Sequence, residues 1–147
     1  YREYFALEIP DNRQHDSYLN LPLDEMMLHI QKAIENGHPV CWEGDISEEG
    51  FIHAKDNYVD ISKNERPVTP TSRQKEFEQL RTTDDHVMEI IGTFLKDEQR
   101  YYVCRNSAGK KWGNQGLIYL SEDYLRLKTI AVFMSEEAFL FDRKQNG

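Results

Sequence analysis

His86-Val87-Met88-Glu89-Ile90-Ile91-Gly92-Thr93-Phe94-Leu95-Lys96-Asp97-Glu98-Gln99-Arg100-Tyr101-Tyr102-Val103-Cys104-Arg105-Asn106 is the stretch that decides the architecture. Val87 to Leu95 is apolar on both faces, which predicts a buried strand. Lys96 to Arg100 is a polar turn, and Tyr101 to Arg105 is the return strand. An antiparallel hairpin follows. His86 opens one strand and Asn106 closes the other. Their midpoint, residue 96, lies at the edge of the turn. The two side chains are therefore cross-strand neighbours within a residue or two of slippage, which a bulge at Gly92 absorbs. An amide oxygen fixes the tautomer and orientation of an imidazole, and the other ring nitrogen can then activate a thiol. From spacing alone the signal is weak, and a surface histidine with a turn asparagine is the commoner arrangement.

Outward from the hairpin, Leu23, Met26, Met27, Ile30, Ala33 and Ile34 recur at helical spacing, with Asp24 as N-cap and Gly37 as the stop. Tyr4 to Ile9, His38 to Glu43, Gly116 to Leu120 and Thr129 to Met134 read as strands, with Pro39 at the start of its own. Residues 11 to 22 read as a loop and Gly44 to Thr71 as a long irregular excursion. Ser72 to Leu80 reads as a short helix turning Phe77 and Leu80 inward, and Ser121 to Leu127 as a helical turn capped by Ser121. The expected fold is α+β: a mostly antiparallel, barrel-like sheet with one main packed helix. No linker divides residues 1–147, so a single domain is expected.

The chain has 147 residues; 18 Lys and Arg against 26 Asp and Glu leave a net charge of −8, which counts against nucleic acid as a partner. Aromatic residues at 12 % argue against disorder. No run approaches the ~18 apolar residues of a membrane helix, so no membrane partner is expected. Cys41 and Cys104 are too few for a disulfide scaffold and form no zinc-type pair. His15, His29, His38 and His53 lack metal-ligand spacing, and the acids from Asp45 to Glu65 lack the order of a calcium loop and read as a solvated excursion. No Gly-rich phosphate loop is present. No metal and no cofactor are expected. The chain begins with Tyr1, and no signal-like segment follows, so a processed or trimmed chain is expected.

Around Asn106 the sequence runs Asn106-Ser107-Ala108-Gly109-Lys110-Lys111-Trp112-Gly113-Asn114-Gln115-Gly116-Leu117-Ile118. This resembles the papain superfamily signature around the catalytic asparagine, Asn-Ser-Trp-Gly, two variable residues, then Trp-Gly and a Gly-led strand. Ala108 is the one departure, standing where the family usually has Trp. Thr83-Asp84-Asp85-His86-Val87-Met88-Glu89-Ile90-Ile91-Gly92 resembles the family's catalytic-histidine strand, and Ala33 to Val40 resembles the step that opens its second lobe. Asp45-Ile46-Ser47-Glu48-Glu49-Gly50-Phe51, the Thr-Asp-Asp-His run and Leu120 to Ile130 resemble the aminopeptidase C and bleomycin hydrolase branch.

The resemblance covers nearly the whole chain. It implies a cysteine peptidase that removes N-terminal residues from peptides, with His86 as general base and then general acid, and Asn106 orienting it. Asp84 and Asp85 would raise the pKa of His86 if they face it, or are solvated loop acids. The resemblance matches only the C-terminal lobe: the nucleophilic cysteine would lie on an N-terminal lobe or companion chain. Neither Cys41 nor Cys104 sits at a helix N-terminus where the dipole would activate a thiol, so both read as core residues. This chain alone is therefore expected to be inactive. Ala108 removes a ring that shields the His–Asn hydrogen bond, with Trp112 as partial compensation or as a core aromatic. The alternative reading is a non-catalytic papain-lobe-like binding or structural module. The resemblance further implies a peptide substrate, homo-oligomeric assembly and a cytoplasmic location, with export left open by the missing start.

Overall fold

Helix α1 (Leu23–Glu35) forms where the apolar stripe predicts it, and Leu23, Met27, Ile30, Ala33 and Ile34 are all buried. In the computed structural model, which describes residues 2–4, 17–83 and 86–139, the N-cap is Pro22 rather than Asp24. Asp24 and Glu25 fall instead in the first turn, where carboxylates face the positive end of the helix dipole. Gly37, at φ 81°, ends the helix as expected.

Strands β1 (Arg2–Tyr4) and β2 (Ser17–Leu19) form a separate antiparallel pair. Ser17 to Leu19 is thus strand where the sequence reads as loop; residues 5–16, with most of the predicted first strand and His15, lie outside the described residues. The main sheet comprises β3 (Val40–Gly44), β4 (Tyr58–Val59), β5 (His86–Lys96), β6 (Gln99–Arg105), β7 (Leu117–Ser121) and β8 (Thr129–Phe133), ordered β4-β7-β6-β5-β3-β8. Every pairing is antiparallel except β4 with β7. The α+β class therefore stands. The barrel does not: β4 and β8 are opposite edges that do not pair, so the sheet is open. Its buried face is closed by α1, packed on β3 and β5, and by α4 (Glu122–Lys128), packed on β6, β7 and β8.

Alternation along the strands sends Val40, Trp42, Met88, Ile90, Tyr102, Cys104, Ile118 and Leu120 into one core. The double-sided burial expected of β5 holds on one face only. Val87 and Ile91 remain 49 % and 39 % exposed on the outer side, while Leu95, which the shift at Ile91 puts on the face of Tyr102, is 66 % exposed near the hairpin turn.

The excursion from Gly44 to Thr71 is more ordered than its composition implies. It contains α2 (Glu49–Ile52), β4 and a 3₁₀ turn (Lys63–Glu65). Its acids are not all solvated, since Arg66 bridges Asp60 at 2.5 Å and Asp123 at 2.6 Å, and Asp60 also accepts from Ser121 Oγ at 2.6 Å. Helix α3 (Pro70–Glu78) starts at a proline and is capped by Thr69 in a reciprocal bond with Ser72. Leu80 is 74 % exposed, not inward. Phe77 is half-buried, and so is Arg73, whose guanidinium donates to the carbonyls of Arg126, Leu127 and Thr129 and so satisfies the end of α4. Burial lowers its pKa to about 10, which keeps it charged at neutral pH. Ser121 caps α4 through Tyr124 N–H, as the sequence predicts.

Candidate active site

The β5–β6 hairpin turns through Asp97 and Glu98, both left-handed at φ 49° and 64°, with Lys96 paired to Gln99. That is the geometry a two-residue hairpin loop demands. The ladder then runs regularly to Gly92↔Val103 and shifts by one residue, so that Ile90 pairs with Cys104 and Glu89 with Arg105. The bulge falls at Ile91, next to the predicted Gly92. Continuing the shifted register puts Met88 level with Asn106 and His86 one diagonal step beyond, on the same face. His86 Nε2 and Asn106 Oδ1 are 3.1 Å apart, and both residues are half-buried. Oδ1 can only accept, so Nε2–H donates, and the neutral ring keeps its lone pair at Nδ1. The predicted pair is thus brought together in the orientation that leaves one imidazole nitrogen basic.

Main-chain pairing fixes His86 from the other side. Its ladder partner on β3 is Gly44, at a bulge where β3 also meets Thr129 of β8. A Cβ on Gly44 would lie 2.3 Å from Trp42 Cζ2 and 2.5 Å from Lys128 O, so only glycine fits. Trp42 Nε1–H donates to Thr129 Oγ1 at 2.8 Å, and that hydroxyl donates to Leu125 O at 2.5 Å.

Asn106 is held by a self-bonded loop. Its N–H donates to Gly116 O at 3.1 Å, Gly116 N–H to Trp112 O at 2.6 Å, and Asn114 N–H to Leu117 O at 2.9 Å. Gly113 sits at φ 57°, where a Cβ would fall 2.4 Å from Leu117 O, which explains the glycine after Trp112. Trp112 stacks on Phe51 at 6.2 Å and packs against the core, as a core aromatic does. Ala108 is exposed. Asp84 and Asp85 lie outside the described residues, as does the tail from residue 140.

Two charged residues beside the pair escape sequence reasoning. Asp45, directly after Gly44, is fully buried. Its Oδ1 accepts from Ser47 N–H and Oγ–H, both at 2.7 Å, and its Oδ2 from Thr83 N–H at 2.7 Å and Oγ1–H at 3.1 Å. Burial alone would raise the carboxyl pKa, but the bonds from Ser47 and Thr83 outweigh it and hold it below 3.8. Lys128, also fully buried, donates to Glu48 and to Arg81 O, with Glu76 at 3.5 Å. The Asp-x-Ser spacing at Asp45 was the one available signal, since such aspartates bond the backbone two residues on.

Neither cysteine is activated. Burial pushes the Cys104 thiol well up, and at Cys41 burial, then Glu43 and Glu89, do the same. Among the described residues no His, Cys, Asp and Glu side chains are grouped to hold a metal ion.

A model of the Peptidase C1-like family matches residues 1–143. The chain is similar in fold to the crystal structure of PepW from Lactobacillus rhamnosis HN001, with a TM-score of 0.68 and 20 % identity over 90 % of this chain. It spans 31 % of that protein's length. A structure concerning antibody cross-reactivity between the mite allergens Blo t 1 and Der p 1 gives a TM-score of 0.46 and 19 % identity, covering 76 % of this chain and 31 % of that one. No curated protein matches.

Proposed function

We propose a function that proceeds from one premise: the chain belongs to the Peptidase C1-like family, whose model matches residues 1–143. The chain is the C-terminal lobe of a papain-like cysteine peptidase, and His86 and Asn106 are its contribution to catalysis. The observation that carries this reading is the 3.1 Å contact between His86 Nε2 and Asn106 Oδ1.

The chemistry follows from that orientation. With Nε2–H committed to Asn106, Nδ1 takes the proton of a thiol supplied by the N-terminal lobe or a companion chain. The thiolate attacks the peptide carbonyl carbon and forms the C–S bond. As the C–N bond breaks, His86 returns the proton to the departing amine. Water then hydrolyses the thioester, with His86 acting as base again. The substrate class is a peptide, and the resemblance of the Asp45 and Leu120 to Ile130 segments to aminopeptidase C and bleomycin hydrolase assigns removal of N-terminal residues. Homo-oligomeric assembly belongs to the same proposal. The exposed Val87 and Ile91, within the strand that starts at His86, support a lobe that packs against more protein than this chain contains.

A second reading, a non-catalytic module, is favoured by exposed Ala108, which places no aromatic cover over the His–Asn bond. Native mass and turnover separate the two. A working half-site is found in a species that is no simple multiple of 17.4 kDa. That species contains a second polypeptide with a reactive thiol, and it hydrolyses an aminoacyl amide until His86→Ala abolishes turnover. A chain that stands alone without activity supports the module. Turnover that survives His86→Ala overturns the peptidase assignment, and turnover by this chain alone that His86→Ala abolishes overturns the placing of the nucleophile on another lobe or chain.

A further inference from the structure

We propose that Asp45 is a positioning residue for His86: its buried carboxylate fixes the segment that enters β5 and so aims the imidazole at Asn106. This rests on the reading of His86 and Asn106 as the working pair.

The segment Arg81-Thr82-Thr83 leads into β5 and is gripped at both ends by residues from one small region. Lys128 Nζ donates to Arg81 O at 3.0 Å. Thr83 gives both its N–H and its hydroxyl to Asp45 Oδ2. His86 itself pairs through the main chain with Gly44, the residue before Asp45. Asp45 is in turn pinned to α4: its N–H donates to Lys128 O at 3.2 Å and its carbonyl accepts from Tyr124 Oη at 2.8 Å. The carboxylate is thus the side-chain bridge between the fixed Gly44–Asp45 corner and the backbone that carries His86.

Four donors fill its two oxygens, which is the full complement a buried carboxylate needs to remain ionised. An amide in its place would turn an NH2 group toward two donors, from Ser47 or from Thr83, and release that side. Asp45 makes no contact with the imidazole among its bonds. Its effect on His86 passes through Thr83 and Gly44.

The test is imidazole NMR on the 15N-labelled chain, which reads tautomer and the Nε2–H signal without any activity. The wild-type chain should show His86 as the Nε2–H tautomer with a hydrogen-bonded proton signal. Asn106→Ala should remove that signal; if it does not, the working-pair reading fails, whatever Asp45 does. Asp45→Asn should broaden or lose the signal and mix the tautomers while the fold persists. Should Asp45→Asn not fold, Thr83→Val, which deletes one bond to the carboxylate and keeps the backbone N–H, should shift the signal in the same direction. Val59→Ala, in the core on β4, supplies a variant of lowered stability for comparison. An unchanged His86 signal in a folded Asp45→Asn chain, or in Thr83→Val where the former does not fold, overturns the inference. So does an equal change in Val59→Ala.

Discussion

Gly44 and His86 are main-chain partners in the β3–β5 ladder, and the glycine of that pair admits no side chain. Gly44→Ala would put a methyl 2.3 Å from Trp42 Cζ2 and 2.5 Å from Lys128 O. The tryptophan is fully buried and hydrogen-bonded, and the carbonyl is backbone, so the strand must move. Overpacking of this kind costs about 1–3 kcal/mol, and here the strain falls on the partner of His86. Urea denaturation of Gly44→Ala should show that loss. The same substitution at Gly92, beside the hairpin bulge, should be nearly silent, because its Cβ would meet Val103 Cγ2 at an ordinary 3.6 Å. A costly Gly92→Ala would mean that the bulge needs glycine after all.

The hairpin was legible because two independent signals agree: an apolar run flanking a polar turn, and a His and an Asn placed near-symmetrically about it. The bulge position was off by one residue because period-2 patterning locates a register shift only to the nearest pair, and Ile91 and Gly92 straddle it. Closure of the sheet was not legible, since it depends on whether β4 and β8 meet, and their composition carries no trace of that. Asp45 and Lys128 were invisible for a plainer reason. Charged residues default to solvent, and their burial follows from partners as distant in sequence as Thr83 and Glu48. The same default made Asp60 read as part of a solvated excursion, although it anchors Arg66, Ser121 and Gln99.

Asp60 gives the molecule an acid-sensitive limb. Burial raises its pKa, but hydrogen bonds from Arg66, Ser121 and Gln99 outweigh this and hold it below 3.8. Above 3.8 the carboxylate is ionised folded and unfolded, and the stabilisation is complete. Below 3.8 the unfolded chain takes up the proton first, so stability falls with pH and is lost through the lower, folded value. Asp45 has the same sign. Folding free energy should therefore be flat for these two groups from about pH 5 to 7 and decline below about pH 4. Asp60→Asn should lower stability at pH 7 by about 1 kcal/mol, the site being partly open to solvent, and should flatten the acid limb. Denaturation curves across that range check both. An unaltered acid limb in Asp60→Asn would exclude the assignment.

Lys128 carries a buried charge answered by Glu48, Glu76 and Arg81 O. Replacing it with Met keeps the aliphatic length and removes the cation, leaving two carboxylates and a carbonyl facing an apolar group. Breaking a buried pair from one side costs about 3–5 kcal/mol. For a chain of this size that is a fall of roughly 6–20 °C in Tm. Converting Glu48 and Glu76 to Gln in the same chain should recover part of it, since the stranded charges go with the lysine. Thermal melts of the single and triple variants give the comparison. A triple variant no better than Lys128→Met would show that the lost bond to Arg81 O, not charge, dominates.

Thiol labelling tests whether the nucleophile is absent from the chain. Cys104 is fully buried and its thiol is pushed well up by desolvation, while Cys41, on the opposite face of the sheet, is half-buried beside Glu43 and Glu89, which also disfavour a thiolate. A nucleophilic cysteine needs the reverse, a lowered pKa near a helix N-terminus or a cation. With iodoacetamide at neutral pH, the native chain should label slowly at Cys41 and at Cys104 only after denaturation. The rate at Cys41 should rise steeply as pH is raised above 9.0, the ordinary thiol value, because only the thiolate reacts. The site of labelling is read by peptide mass spectrometry. Rapid labelling of either cysteine near pH 6, quenched by His86→Ala, would place a working nucleophile within this chain and remove the need for a partner lobe.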